Sequence, residues 1–180
     1  RMSFSAQTKT ELCAIPVSRD CCAVAEAYGL LLFAHTFSHT EIAVVTANEA
    51  LAKRVPPLLT RAFSASVQSQ EKGAGGRVTL KITEEKQLRR IFSKLGYDWQ
   101  YHMTYHLNRN IIEDDCCRAA FLRGVFLYSG NAGVNELLFD FKQFFYRFDF
   151  DVFAVAVSVF AVYAVHDDDR TVCLLYTSPS

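Results

Sequence analysis

The residues best suited to chemistry in this sequence are its six cysteines, four of which form the adjacent pairs Cys21-Cys22 and Cys116-Cys117. Cysteine thiolates bind soft metal ions and take part in redox reactions. Neighbouring cysteines on one helix point about 100° apart, which disfavours a disulfide between them. No CxxC spacing occurs, which argues against a zinc ribbon. Against redox or metal roles we favour small apolar side chains buried at a tight helix interface, and we expect no metal and no cofactor.

Histidine pairs are the second candidate for metal binding. His35 and His39 flank the end of an apolar segment, and His102 and His106 have the i, i+4 spacing that places two side chains on one helix face. No glutamate or cysteine stands beside the second pair to complete a ligand set. We therefore favour solvated or hydrogen-bonded histidines.

Composition indicates a folded chain. Of its 180 residues 51% are hydrophobic, and 19 Lys and Arg balance 19 Asp and Glu, which excludes a disordered, highly charged tail. The zero net charge first argues against a strongly basic nucleic-acid binder. It is nevertheless the sum of +4 over residues 1–130 and −4 over residues 131–180, and the second segment also holds 8 of the 15 phenylalanines. This shift indicates a domain boundary or a change in the origin of the sequence.

Membrane and export signals are weak. The longest apolar run, 152–165, is 14 residues long and lies between aspartates, whereas a spanning helix needs about 18. A buried core element is favoured over a membrane segment, and the first residues lack the charged start and apolar run of a secretory signal. We expect a cytoplasmic protein with reduced thiols.

Hydrophobic periodicity and end signals predict the elements that would position these residues. Helices are expected over 5–15, 21–35, 83–95 and 116–128, with another starting after Asn48, and strands over 42–45, 64–70 and 77–82. Asp20, Asn48 and Asp115 are expected as N-caps. Pro56-Pro57 is expected to break or kink its helix.

An internal repeat carries the most information. The helices that begin at Cys21 and Cys116 share Cys, Cys, Ala, Gly and Leu at a constant offset of 95, and each follows an aspartate. A helix-interior glycine costs about 1 kcal/mol, so Gly29 and Gly124 indicate close backbone approach. The repeat predicts two motif helices packed face to face about a pseudo-twofold axis. Glu26 is the one acidic residue in its helix, and either solvent exposure or a pair with Arg123 would satisfy it.

The start Met2-Ser3-Phe4-Ser5, the Cys21-Cys22 helix and the segment from Cys116 to Gly124 together resemble the WhiA regulators of sporulation and cell division. The resemblance spans about residues 2–130. It implies a DNA-binding transcription regulator of Gram-positive bacteria, with an N-terminal part like a LAGLIDADG homing endonuclease and a C-terminal helix-turn-helix domain that is not found in this chain. The implied fold is α+β: a first repeat of helices packed on a small antiparallel sheet, plus the motif helix of a truncated second repeat.

The resemblance also gives an expectation about catalysis. In working LAGLIDADG enzymes an acidic residue at the end of each motif helix binds a divalent metal that activates water. Alignment on Gly29 and Gly124 places those positions at Ala34 and Ser129. Neither side chain binds a hard cation as a carboxylate does. We therefore expect no enzyme activity, against the alternative of a residual nuclease.

In the same nuclease fold one sheet face lies along DNA, with phosphate contacts positioning it. Arg77, Thr79 and Lys81 would project from one face of their strand, opposite Val78, Leu80 and Ile82. With these three, the candidate DNA-binding residues are Lys53, Arg54 and Arg61. An ordinary solvated surface accounts for the residues as well.

The resulting division of the chain has three parts. Residues 2–113 are expected to form the first LAGLIDADG-like repeat and 114–130 the start of the second. Residues 131–180, with an adaptor-like end, are expected to be a frameshifted or chimeric tail, against the alternative of a divergent native strand region. The functional hypothesis is a fragment of a non-catalytic DNA-binding regulator in the cytoplasm, associated with the nucleoid, whose partner is double-stranded DNA. The alternative is a protein-interaction scaffold that does not bind DNA directly.

Overall fold

The computed structural model describes residues 4–99 and 107–129, and the predictions for His102, His106, Cys173 and residues 131–180 lie outside this part of the chain. Its helices are α1 (Phe4–Ala14), α2 (Asp20–Leu32), α3 (Glu49–Phe63), α4 (Glu85–Lys94) and α5 (Asp115–Ser129). Its strands are β1 (Thr36–Phe37), β2 (Ile42–Thr46), β3 (Ser69–Lys72) and β4 (Val78–Ile82), and short 3-10 turns occur at Ala74–Gly76 and Arg109–Ile112. The predicted α+β class is confirmed.

The four described strands form one antiparallel sheet in the order β1-β2-β4-β3. In the central pair, Ile42 lies opposite Ile82 and Val44 opposite Leu80, and all four side chains are buried. These residues define the inner face of the sheet. Because side chains alternate along a strand, Thr79 and Lys81 project from the opposite, outer face.

The core fills the space between the inner face and the helices. Helix α2 is buried almost all round, with Tyr28, Leu30 and Leu31 fully inaccessible, and it packs most extensively against α5. Helices α3 and α4 are amphipathic, and their apolar side chains join the same cluster as the inner sheet face. The described elements thus surround a single hydrophobic core centred on α2.

The predicted end of α2 at residue 35 was wrong by three residues. The chain leaves the helix at Phe33 (φ −107°, ψ 4°), and Thr36 and Phe37 pair with Ala43 and Ile42 as strand β1. The Phe37 ring also stacks on Phe92 of α4, with ring centroids 4.9 Å apart. Sheet pairing and this aromatic contact compete with helix formation, and the local apolar pattern does not reveal them.

The predicted caps have mixed outcomes. The Asn48 side chain accepts a hydrogen bond from the Leu51 backbone N–H at 2.9 Å, which confirms it as the N-cap of α3. Asp20 and Asp115 are instead the first residues of their helices. Their carboxylates take part in ion pairs with Arg61 and Arg118, so these two cap predictions were wrong.

The structure also differs from the predictions for α3 and for the hairpin before β4. Helix α3 is not broken at Pro56-Pro57 but runs through both prolines, because Leu51, Val55, Leu58 and Leu59 on either side are all buried in the core. The hairpin before β4 exists, yet its first strand begins at Ser69 rather than Ser64. Ser64 has left-handed backbone (φ 51°) and ends α3.

Candidate functional site

The two motif helices, α2 and α5, cross at Gly29 and Gly124. A methyl group on Gly29 would clash with the backbone carbonyl oxygen of Phe121 and lie 3.0 Å from the Val125 nitrogen. A methyl group on Gly124 would clash with the Glu26 carbonyl and lie 2.9 Å from the Leu30 nitrogen. Both obstacles are backbone atoms, which cannot rotate away. The two glycines are therefore required by the crossing itself.

Glu26 lies beside this crossing and is completely buried. Its carboxylate accepts hydrogen bonds from Arg54 of α3 at 2.6 and 3.0 Å, and from Arg123 of α5 at 2.6 and 2.8 Å. Arg54 also donates to the Cys13 carbonyl at 2.8 Å. One carboxylate thus joins three helices through charge-assisted bonds. The sequence pointed to Arg123 as one possible partner, whereas Arg54 was missed as the other.

Tyr28, the residue before Gly29 at the crossing, makes a second, part-buried polar contact. Its hydroxyl lies 2.6 Å from the Tyr97 hydroxyl and accepts from the Asn108 backbone N–H at 2.8 Å. Burial raises the pKa of the Tyr28 phenol, and the hydrogen bonds with Tyr97 and Asn108 offset part of this effect. No sequence pattern predicted this contact, because its three members are far apart in the chain.

The four paired cysteines converge at the N-terminal ends of the motif helices. The sulfurs of Cys21, Cys22, Cys116 and Cys117, hereafter the four-thiol cluster, all lie within 4.8 Å of one another. Cys22 and Cys117 are buried, Cys116 is half-buried and Cys21 is exposed. Burial raises the pKa of Cys22 and Cys117. The repeat predicted the pairing of the helices, but the expectation that all four thiols are buried apolar residues was wrong.

Ala34 and Ser129, which the sequence resemblance aligns with LAGLIDADG metal ligands, are at the other ends of the same helices. Ala34 follows the end of α2, and Ser129 is the last residue of α5. Within residues 4–99 and 107–129, the one group of three or more His, Cys, Asp or Glu side chains arranged to hold a metal is the four-thiol cluster. His35 is exposed, and the His39 ring meets Trp99 edge-on at 6.0 Å.

The structure separates the six predicted DNA-binding residues. Arg77 is exposed and immediately precedes β4, whose Thr79 and Lys81 project from the outer face of the sheet. Lys53 and Arg61 are on α3, whose apolar side joins the core on the inner face. Lys53 pairs with Glu49 at 2.7 Å and Arg61 with Asp20 at 2.8 Å. Arg54 was a wrong choice, because its guanidinium is committed to buried Glu26.

The outer sheet face, formed by Arg77, Thr79 and Lys81 with their neighbours, is not uniformly basic. Glu71 lies opposite Thr79 on β3, and its carboxylate is 3.9 Å from the Lys81 ammonium. The Lys81 side chain keeps 30% of its surface accessible. The face therefore offers two cations, one of which has a nearby competing anion.

The two motif helices cross at glycines and lie beside an antiparallel sheet. Together they form an α+β domain, which is the class that the resemblance to LAGLIDADG proteins implies. The chain is 30% identical over 144 residues to the "Probable cell division protein WhiA" of Ruminiclostridium cellulolyticum, covering 75% of this chain and 46% of that protein. It is 26% identical over 145 residues to the protein of the same name from Bacillus subtilis, covering 75% and 45%. The resemblance to the WhiA family is confirmed, and the chain spans about half the length of these relatives.

Two solved structures are also similar. Full-length DUF199/WhiA from Thermatoga maritima matches with a TM-score of 0.49 and 18% identity, covering 71% of this chain and 39% of that one. The N-terminal LAGLIDADG domain of DUF199/WhiA matches with a TM-score of 0.48 and 18% identity, covering 71% and 59%. No family model matches the chain. Among the described residues, no helix is both long and apolar enough to span a membrane.

Proposed function

We propose that this chain is part of a non-catalytic, DNA-binding transcription regulator that acts in cell division and sporulation. The similarity to proteins named probable cell division protein WhiA supports the role in division. The observation that carries DNA contact is the outer sheet face, where Thr79 and Lys81 project from the side of β4 opposite the core and exposed Arg77 immediately precedes the strand. Double-stranded DNA is the proposed partner, and a cytoplasmic, nucleoid-associated location follows from it.

The proposed domain organisation follows the helix repeat. Residues 2–113 constitute the first LAGLIDADG-like unit and 114–130 begin the second, while 131–180 are not native sequence. A nucleotide read across codons 125–180 tests this division. A single uninterrupted reading frame with one source would contradict the proposed origin of the tail.

The absence of nuclease activity is proposed from the side chains at the ends of the motif helices. A methyl group at Ala34 and a hydroxyl at Ser129 replace two carboxylates, so a hard divalent cation lacks its charged ligands there. Incubation of supercoiled and linear duplex DNA with the chain and Mg²⁺ should leave both intact. Metal-dependent cleavage that persists through purification would overturn this part of the proposal.

Phosphate contacts from the outer sheet face should make binding weak and dependent on salt. Neutralising Z phosphates of duplex DNA gives a slope of about −0.9Z for the logarithm of affinity against the logarithm of salt concentration. Arg77 and Lys81 supply two cations, so a slope of roughly −2 is expected. Replacement of Glu71 by glutamine removes the anion beside Lys81 and should strengthen binding.

The test is fluorescence anisotropy of a labelled duplex, measured with the full chain at low and moderate salt. R77E/K81E should lose most of the binding, whereas K86E/K94E, with the same change in charge on exposed positions of α4, should retain it. Equal effects of the two double variants would contradict a specific role for the outer face. Absence of DNA retention together with a stable protein partner would favour the interaction scaffold instead.

A further inference from the structure

The four-thiol cluster has the composition and spacing of a tetrahedral metal site. Zinc binds thiolate sulfur at about 2.3 Å, which places tetrahedral sulfurs roughly 3.8 Å apart. The Cys116 and Cys117 sulfurs are already 3.9 Å apart, and all four lie within 4.8 Å. We propose that Cys21, Cys22, Cys116 and Cys117 bind one soft divalent cation of the zinc type, which links the N-terminal ends of α2 and α5.

The ligands come from two helices whose relative position is already fixed. Gly29 and Gly124 set the crossing of α2 and α5, about two helical turns, or roughly 12 Å, beyond the cysteines. A cation at the helix ends adds a further link between α2 and α5, beyond the glycine crossing and the Glu26–Arg123 ion pair.

Positive groups beside the cluster favour thiolates around a divalent cation, and they act against the burial that raises the pKa of Cys22 and Cys117. Both cysteine pairs are in the first turn of a helix, where the partial positive charge of the macrodipole stabilises anions. Exposed Arg19 lies close enough to interact with Cys116, Cys21 and Cys22. Asp114 acts against these effects through its interaction with Cys116. The positive groups offset the net charge of −2 that four thiolates and one divalent cation carry.

The binding reaction involves no redox step. Four thiols release four protons to solvent, and four sulfur–metal bonds form with one divalent cation. The cation enters from the side of Cys21, the exposed member of the cluster, while Cys22 and Cys117 provide the buried ligands. Soft sulfur donors select zinc, or cobalt as its substitute, over magnesium and calcium.

The experiment titrates Co²⁺ into the reduced full chain under anaerobic conditions and records the visible and near-ultraviolet bands of tetrahedral cobalt thiolate. The expected stoichiometry is one Co²⁺ per chain, with loss of the bands when Zn²⁺ is added. C21S/C116S should abolish the bands, because it removes one ligand from each helix. C13S should leave them unchanged, because Cys13 is on α1 and outside the cluster.

A folded, reduced chain that gives no cobalt thiolate bands would overturn the proposal. Two disulfides between the helices in the purified protein would also overturn the proposal, and mass spectrometry would detect them as the loss of four hydrogens. Labile sulfide from an iron–sulfur cluster would overturn it as well. Should C21S/C116S fail to fold, X-ray absorption of the zinc-loaded wild-type chain decides the matter. Four sulfur neighbours at about 2.3 Å are expected, and nitrogen or oxygen neighbours would contradict the assignment.

Discussion

Gly29 and Gly124 each face the backbone of the opposite motif helix, so that a side chain on either would meet main-chain atoms. This reciprocal contact relates the two copies of the helix repeat. It also explains why glycine persists in two helix interiors, where it costs about 1 kcal/mol relative to alanine.

Alanine at Gly29 or Gly124 should destabilise the chain by about 3 kcal/mol or more, at the upper end of the cost of overpacking. Helix propensity alone predicts that alanine would stabilise the chain, since alanine is the better helix former. Gly73→Ala is the matched control, because its nearest neighbour would be 3.8 Å from the new methyl group. Urea denaturation measures all three variants. Equal stability of the Gly73 and Gly124 variants would contradict the close crossing.

Replacement of Glu26 by alanine should cost about 3–5 kcal/mol, the range for removing one partner of a buried ion pair. The side chains of Arg54 and Arg123 are only 12% and 11% exposed, so both guanidinium charges would remain buried without their carboxylate. Glu49→Gln is the control, because its pair with Lys53 is fully exposed and an ion pair in water contributes little to stability. Thermal and urea unfolding are the measurements. A loss below 1 kcal/mol for Glu26→Ala would show that the arginines find other partners.

Tyr28→Phe should destabilise the chain by about 1 kcal/mol at neutral pH, because the part-buried Asn108 N–H loses its acceptor. Tyr97→Phe should cost less, since it removes the bond between the two hydroxyls and leaves that acceptor in place.

The effect of Tyr28 should also depend on pH. Its pKa is raised in the folded state, while the unfolded tyrosine ionises near pH 10. The unfolded state therefore loses its proton first, and the stabilisation is complete below about pH 10 and declines above it. The difference in unfolding free energy between wild type and Tyr28→Phe should narrow there. A constant difference from pH 7 through the alkaline range would contradict the raised pKa.

Alanine at Pro57 should stabilise the chain, by about 1–3 kcal/mol, because it restores a helical hydrogen bond and removes the clash of the ring inside α3. Pro57 is exposed, so little packing is lost. Pro16→Ala, in the segment between α1 and α2, should have the opposite sign and cost about 0.4–1 kcal/mol through greater freedom of the unfolded chain. The urea concentration at the midpoint of unfolding, measured for wild type and for each variant, compares the two substitutions. Destabilisation by both substitutions would indicate that α3 requires its proline.

Prediction from sequence was accurate where the signal is local or repeated. The Asn48 cap, the alternation of β4 and the helix expected over 83–95 each depend on neighbouring residues, and all three are found. The end of α2 and a break in α3 were wrong, because a sheet pairing and the burial of both halves of α3 outweigh local propensity. Arg54 looked like a surface cation for the same reason, since its sequence neighbours do not reveal Glu26.

The sequence by itself determined the helix repeat, the two glycines in it, the resemblance to WhiA proteins and the absence of carboxylates at Ala34 and Ser129. These depend on residue identity and spacing along the chain. Only the tertiary structure decided that Glu26 joins Arg54 and Arg123, that the outer face separates Lys81 from Lys53, and that four thiols meet at the helix ends. Each of these relationships depends on residues distant in sequence. The close approach of α2 and α5 at Gly29 and Gly124 brings together the four thiols and the Glu26–Arg123 pair, whereas the packing of α3 and of the sheet places Arg54, Lys53 and Lys81.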